Sequence, residues 1–294
     1  MRIGLIGLGK MGGNMRERLR RGGVEVVGLD HNQAISDAAD EADLVAQLGE
    51  GPRVVWLMVP IHAVDALIET LKPLLSAGDV IIDGGTSKWT HDARHAAYLA
   101  DKGIHFVDVG TSGGVWGLEN GYALMVGGPK EAVELAMPAF EALKPEGEFG
   151  FVHAGESGAG HFAKMVHNGI EYGLMQAYAE GFAILRRRAD LVPDLVQLAD
   201  LWRDGSVIRS WLLDLTADAL RANPALEGIA PWVADSGEGR WTVAEAIDLD
   251  VPAPVITLAL LERLRSRDDD SYTDRLLAAM RAGFGGHAVK RDPE

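Results

Sequence analysis

No cysteine occurs among the 294 residues. That excludes disulfides, thiolate metal sites and a cysteine nucleophile. No apolar run is long enough to span a bilayer. Basic residues are in the minority, 28 against 43 acidic ones, and the net charge is −15. Such a balance argues against nucleic acid or an anionic membrane as the principal partner. An anionic small molecule stays open, because it responds to local charge. Internal repeats and low-complexity segments are also missing. The opening "MRIGLIGLGKMGG" reads as a glycine-broken strand and not as a signal peptide. With 47% hydrophobic residues, the expectation is a soluble, cytoplasmic protein with a sizeable core, in one large domain or two ordinary ones.

What is present changes character halfway. Strand-like runs occur in the first half: "RIGLIGL", "VEVVGLD", "RVVWLMV", "DVIIDGG", "IHFVDVG" and "YALMVGG", with "GEFGFVHAG" as a candidate last strand. Helical patterns such as "IHAVDALIETLKPLL" and "KEAVELAMPAFEALKP" lie between several of them. This alternation predicts βαβ units and a mainly parallel sheet. From about Gly158 onward the patterns are helical, including "HFAKMVHNGIEYGLMQAYAEGFAILRRR" and "PAPVITLALLERLRSR". The expected fold is α/β: a Rossmann-type doubly wound sheet over residues 1–156, then an all-helical substrate and oligomerisation domain over 157–294. The tail "GGHAVKRDPE" lacks periodicity.

The first candidate site is Gly7-x-Gly9-x-x-Gly12, between a strand and a helix. Glycines there permit a tight turn and close approach of backbone to a pyrophosphate at the helix N-terminus. Asp30 ends the next strand about 20 residues on, as a dinucleotide fingerprint requires. A carboxylate at that position suits the ribose hydroxyls of NAD and repels the extra phosphate of NADP, so NAD is the expected cofactor. His31 follows it. Leu8, Lys10 and Met11 within the loop, Met58 and Val59 after the third strand, and Thr86 after the fourth complete the expected cofactor contacts. A glycine-rich turn without ligand is the plain alternative.

A second candidate lies in "KMVHNGIEYG". On one long helix, Lys164, His167, Asn168 and Glu171 share a face at spacings of three, four and seven. Met165, Val166, Ile170, Leu174 and Met175 form the apolar body. Solvated stripes favour Glu, Lys and Arg throughout, whereas this one contains His, Asn and Gly. Gly169 and Gly173 each cost about 1 kcal/mol in a helix interior and suggest close approach by a backbone or a ligand. Lys164 and Glu171 stand about 10 Å apart along the axis, too far for a simple ion pair and suited to acting on different atoms of one substrate. A third stretch, Ser112-Gly113-Gly114, follows a strand's carboxyl end, where ligands bind in open α/β sheets.

Together these stretches resemble the decarboxylating 6-phosphogluconate dehydrogenases, in their short form, within the β-hydroxyacid dehydrogenases. The resemblance spans nearly the whole chain, through "GLGKMGGNM", "IDGGTS", "VGTSGGVWG", "GAGHFAKMVHNGIEYG", "VIRSWLL", "GRWTVAEAIDLDVP" and "RAGFGGH". It implies Lys164 as general base and Glu171 as general acid. It implies substrate contacts from Thr86, Ser112, Gly113, Gly114, His167, Asn168 and Tyr172, with Arg209, Arg281 and His287 at phosphate-holding positions. The implied partners are a phosphorylated sugar acid and further copies of the chain, as homodimer or homotetramer, with the tail reaching a neighbouring subunit. Three departures stand out. Asp30-His31-Asn32 replaces the long enzymes' Asn-Arg-Thr, "DGGTS" replaces "DGGNS", and Ser236 replaces a substrate lysine, with Arg240 as a nearby source of charge.

The implied reaction is oxidation at C3, loss of CO2 and protonation at C1, giving ribulose 5-phosphate in the pentose phosphate pathway. No metal is expected, since no His/Asp/Glu cluster has convincing ligand spacing. Two alternatives remain: a β-hydroxyacid dehydrogenase that does not decarboxylate, and a dinucleotide-sensing module without catalysis.

Overall fold

A computed structural model describes residues 1–285 and 288–290. Seven strands form one sheet: β1 (Arg2–Ile6), β2 (Glu25–Leu29), β3 (Val54–Leu57), β4 (Val80–Asp83), β5 (His105–Ser112), β6 (Ala123–Gly127) and β7 (Phe151–Gly155). Their order is β2-β1-β3-β4-β5-β6-β7. All pairs are parallel except β5 with β6, which run antiparallel with Asp108 opposite Gly127. Strands β3 and β4 are buried along their whole length, as expected of parallel strands covered on both faces. Their continuous apolar runs made them legible.

Helices cover both faces of this sheet: α1 (Lys10–Arg21), α2 (Glu41–Gln47), α3 (Ile61–Leu71), α4 (Trp89–Ala100), the short α5 (Gly117–Asn120) and α6 (Lys130–Leu143). Two separate apolar clusters result. One gathers Leu5, Met15, Trp56, Ile82, Val109 and Phe140. The other gathers Ile6, Leu44, Leu57, Ile68, Leu99 and Phe106. The doubly wound expectation is met.

Helix α7 (Ala159–Arg187) follows, then α8 (Leu195–Arg203), α9 (Trp211–Ala222), α10 (Glu238–Asp248), α11 (Pro254–Arg265) and α12 (Tyr272–Gly285). The chain divides into two compact units, Met1–His167 and Asn168–Glu294. The division falls inside α7 and not at the expected 156/157 loop. The reason is packing, because the first turns of α7 belong to the sheet. A Cβ on Gly160 would lie 2.4 Å from the Met125 carbonyl oxygen, and one on Gly110 would lie 2.3 Å from the Lys164 Cβ.

Within the second unit, Phe182, Ala199, Leu213, Ala217 and Leu220 form one core, and Tyr172, Ala259 and Leu260 another. Helix α8 was not anticipated from the sequence. Its start is fixed by the Asp194 carboxylate, which accepts from the Gln197 amide at 2.9 Å; such a cap satisfies one orphan donor of a helix. Among the described residues, no helix is long and apolar enough to cross a membrane.

Candidate active site

The glycine loop lies where β1 enters α1. Gly7 has φ +94°, in the left-handed region, and a Cβ there would strike the Met58 carbonyl. A Cβ on Gly12 would stand 2.0 Å from the Gly7 carbonyl oxygen, so no side chain fits. Gly9 differs: it is the N-cap of α1, makes no side-chain cap bond, and faces open space. The amides at the start of this 12-residue helix are therefore not screened by a side chain at Gly9, which suits a pyrophosphate.

Asp30 closes this loop from the side. Its Oδ2 accepts from the Leu8 amide at 2.7 Å and its Oδ1 from the Asn32 amide at 2.9 Å. These bonds, Asn32's first and then Leu8's, hold the carboxyl below its ordinary value. It is thus ionised, with lone pairs remaining for hydroxyl donors. His31, Gly9 and Lys10 are exposed, Met11, Met58 and Val59 half-buried, and Leu8 and Gly12 buried. Thr86 is exposed on the loop after β4. That loop is shaped by buried Asp83, which accepts from the Gly85 amide at 3.0 Å and the Ser87 hydroxyl at 2.7 Å. The expected cofactor residues of this unit follow the carboxyl ends of β1, β2, β3 and β4, and their chemistry fits a dinucleotide.

Ser112 ends β5 and is followed by Gly113 (φ +137°) and Gly114 (φ +53°). The Ser112 hydroxyl lies 3.5 Å from His167 Nε2. Lys164 is half-buried, its stem against Gly110 of β5. Sequence reasoning missed what lies beside it. His161, one turn earlier, is 2% exposed, and its Nδ1 stands 2.9 Å from Oδ2 of fully buried Asp92. Asp108 accepts from the amides of Gly158, at 2.6 Å, and His161, at 2.8 Å. Burial pushes the Asp92 carboxyl up to about 7, against the pull of His161. Burial also opposes the His161 cation, but the Asp92 hydrogen bond and the charges of Asp92, Asp83 and Asp108 outweigh it and raise the imidazole to about 9. Asp83, Asp92 and His161 bring their polar atoms within 4.8 Å of one another. Their chemistry is that of an ion pair, since Nδ1 faces Asp92 and both Asp83 oxygens already accept hydrogen bonds.

In the second unit α7 carries Asn168 and Glu171, both half-buried, and buried Tyr172. The Tyr172 hydroxyl lies 3.3 Å from the Ser236 hydroxyl. The Arg263 guanidinium stands 3.5 Å over the Tyr172 ring and donates to the Ala234 carbonyl at 2.9 Å. Arg263 is a candidate binding cation that the sequence did not reveal, because its arginine-rich surroundings in α11 look like a solvated helix end. Arg240, expected to offer charge, is instead paired with Asp235, which Arg267 also approaches at 3.5 Å. The two glycines of the α7 stripe have a cause other than the ligand approach expected of them. Gly169 is approached by the Thr242 side chain and Gly173 by Val255, so helix packing, and not a ligand, explains both. Arg209 is exposed before α9 and Arg281 is exposed on α12. His287 lies outside the described residues.

Comparison with known proteins agrees with this geometry. Residues 2–150 match the NAD binding domain of 6-phosphogluconate dehydrogenase, and residues 160–275 match the 6-phosphogluconate dehydrogenase C-terminal domain. The NAD(+)-dependent, decarboxylating 6-phosphogluconate dehydrogenase of Haloferax volcanii is 45% identical over 303 residues, covering 99% of each chain. The decarboxylating enzyme of Bacillus licheniformis is 35% identical, covering 94% of this chain and 64% of its own length. The solved 6-phosphogluconate dehydrogenase of Plasmodium falciparum superposes with TM-score 0.78 and 26% identity, over 100% of this chain and 67% of that one.

Proposed function

The chain belongs to the 6-phosphogluconate dehydrogenase family, and from that premise we propose that it oxidatively decarboxylates 6-phospho-D-gluconate to ribulose 5-phosphate and CO2 with NAD. The observation that carries the proposal is the joint presence, on one helix, of Lys164 beside the dinucleotide-binding unit and Glu171 two turns later. Gly7, Gly9, Gly12 and Asp30 would hold NAD, which would supply the hydride acceptor for C3. Lys164, entering neutral, takes the proton of the C3 hydroxyl as that hydride leaves. As an ammonium it then polarises the C3 carbonyl, which receives the electron pair left when the C1 carboxylate departs as CO2. Glu171 protonates C1 of the resulting enediol. Ser112, Gly113, Gly114, Thr86, His167, Asn168 and Tyr172 orient the sugar acid, and Arg263, Arg209, Arg281 and His287 are the candidates for its phosphate. Arg263 is preferred among these because it stands over the ring of Tyr172, itself a proposed substrate contact.

A homo-oligomer is part of this reading. Unit two exposes large apolar side chains, among them Ile184, Leu201, Trp211, Leu258, Leu277 and Met280, more than a solitary helical unit needs. No metal step is required. Replacing Lys164 with alanine is expected to lower oxidation by about 1,000-fold, with NAD binding retained. Glu171→Gln is expected to spare hydride transfer and slow solvent hydrogen incorporation at C1. Near-normal turnover of Lys164→Ala, or unchanged incorporation in Glu171→Gln, would refute the assigned roles.

A further inference from the structure

Three buried carboxylates surround the start of α7, and the reaction as described uses none of them. Asp83, at the end of β4, holds the backbone of the loop that presents Thr86. Asp108, beside it on β5, holds the amides of Gly158 and His161. Asp92, in the first turn of α4, holds the His161 ring. Among the described residues, Asp92 Oδ1 and His161 Nε2 have no hydrogen-bond partner, so the pair's one strong polar contact is the Nδ1–Oδ2 bond. Burying these groups is costly unless geometry compensates, and an apolar pair would cover the same area. What the polar pair adds is direction: it ties α4, which continues the Thr86 loop, to the helical turn that carries Lys164.

We propose that His161 is a positioning residue for Lys164, and that the Asp83–Asp92–Asp108–His161 network fixes the Thr86 loop and the lysine-bearing turn in one register for hydride transfer. The inference rests on the assignment of Lys164 as the base. The charged groups acting on His161 are Asp83 from β4, Asp92 from α4 and Asp108 from β5. None of the three touches the expected cofactor cleft, since all are fully buried. Their influence must pass through backbone. A misplacement of about 1 Å at a reacting group can cost about 100-fold in rate.

Two amide replacements separate positioning from filling. His161→Asn places a donor nitrogen where Nδ1 stands, but leaves space where the ring was. His161→Gln fills the ring's volume better, but moves its nitrogen to the Nε2 position. Positioning therefore favours asparagine, and packing alone favours glutamine. With full-length protein, 6-phosphogluconate and NAD, H161N is expected to keep kcat within about tenfold of the parent while H161Q falls about 100-fold. NAD affinity should change less than about twofold in both. The primary isotope effect with C3-deuterated substrate should be larger in H161Q. Hydrogen exchange provides a readout without turnover: peptides covering 84–88 and 158–164 should lose protection together in H161Q and keep it in H161N. Glutamine equal to or better than asparagine, or exchange that rises in only one of the two segments, would overturn the inference. A parent protein inactive on 6-phosphogluconate would instead defeat the functional reading, and the exchange data would still judge the network.

Discussion

At the scale of single residues, Asp30 is the proposed determinant of cofactor choice. Its position after the second strand raised the expectation of a ribose partner. Its role in clamping the Leu8 amide is visible only in three dimensions. Asp30→Asn together with His31→Arg is expected to move catalytic efficiency toward NADP by about tenfold or more, since a repelling charge is removed and an attracting one added. A double variant with an unchanged NAD:NADP ratio of kcat/KM would contradict that role. His161 was hidden for a different reason. A histidine in "GAGHFAK" looks like packing until Asp92, 69 residues earlier, is seen beside it. Its imidazole is raised from 6.5 to about 9 in the fold. A raised histidine contributes stability that is full below its unfolded value and lost as pH climbs through the folded one. Asp92, raised from 3.8 to about 7, acts in the same direction, because the fold again binds the extra proton. The melting temperature should therefore fall between pH 7 and pH 9, and fall less in His161→Asn. Parallel melting curves across that window would count against a shared buried proton.

At the scale of elements, α7 carries Lys164, His167, Asn168 and Glu171 together. Its length and polar stripe were readable from spacing, as were the seven strands, because period and apolar runs are local properties. How its N-terminus is held was not readable, since Asp108 belongs to β5 and meets the helix only through the fold. Asp108→Asn keeps the shape but removes the charged acceptor for two helix-start amides. Lost caps cost about 0.5–2 kcal/mol, and the charge-assisted bonds here place the expected loss toward the upper end. Urea unfolding monitored by tryptophan fluorescence measures it, and an unchanged midpoint would show the cap to be dispensable. The stripe's glycines were misread at this same scale. Gly169 accommodates Thr242 from α10, a partner 73 residues away, so sequence spacing alone suggested a ligand where a helix packs.

At the scale of the whole molecule, division into a sheet unit and a helical unit was legible from the change in hydrophobic period, although the structural division follows His167 and not residue 156, eleven positions earlier. The proposed homo-oligomer carries the expectation that Arg281 completes a site in another copy. Mixing Lys164→Ala with Arg281→Ala under subunit exchange should restore activity, because some mixed sites would hold both residues from different chains. Verified mixed oligomers as inactive as their parents would assign Arg281 to its own subunit or to no site. The central claim, that one helix carries the base for oxidation and the acid for the step after decarboxylation, is tested most directly by product stoichiometry. Purified protein given 6-phosphogluconate and NAD should release one CO2 for every nicotinamide reduced, and should do so more efficiently than with NADP. Nicotinamide reduction without CO2 release, or no reduction at all with this substrate, would contradict the account.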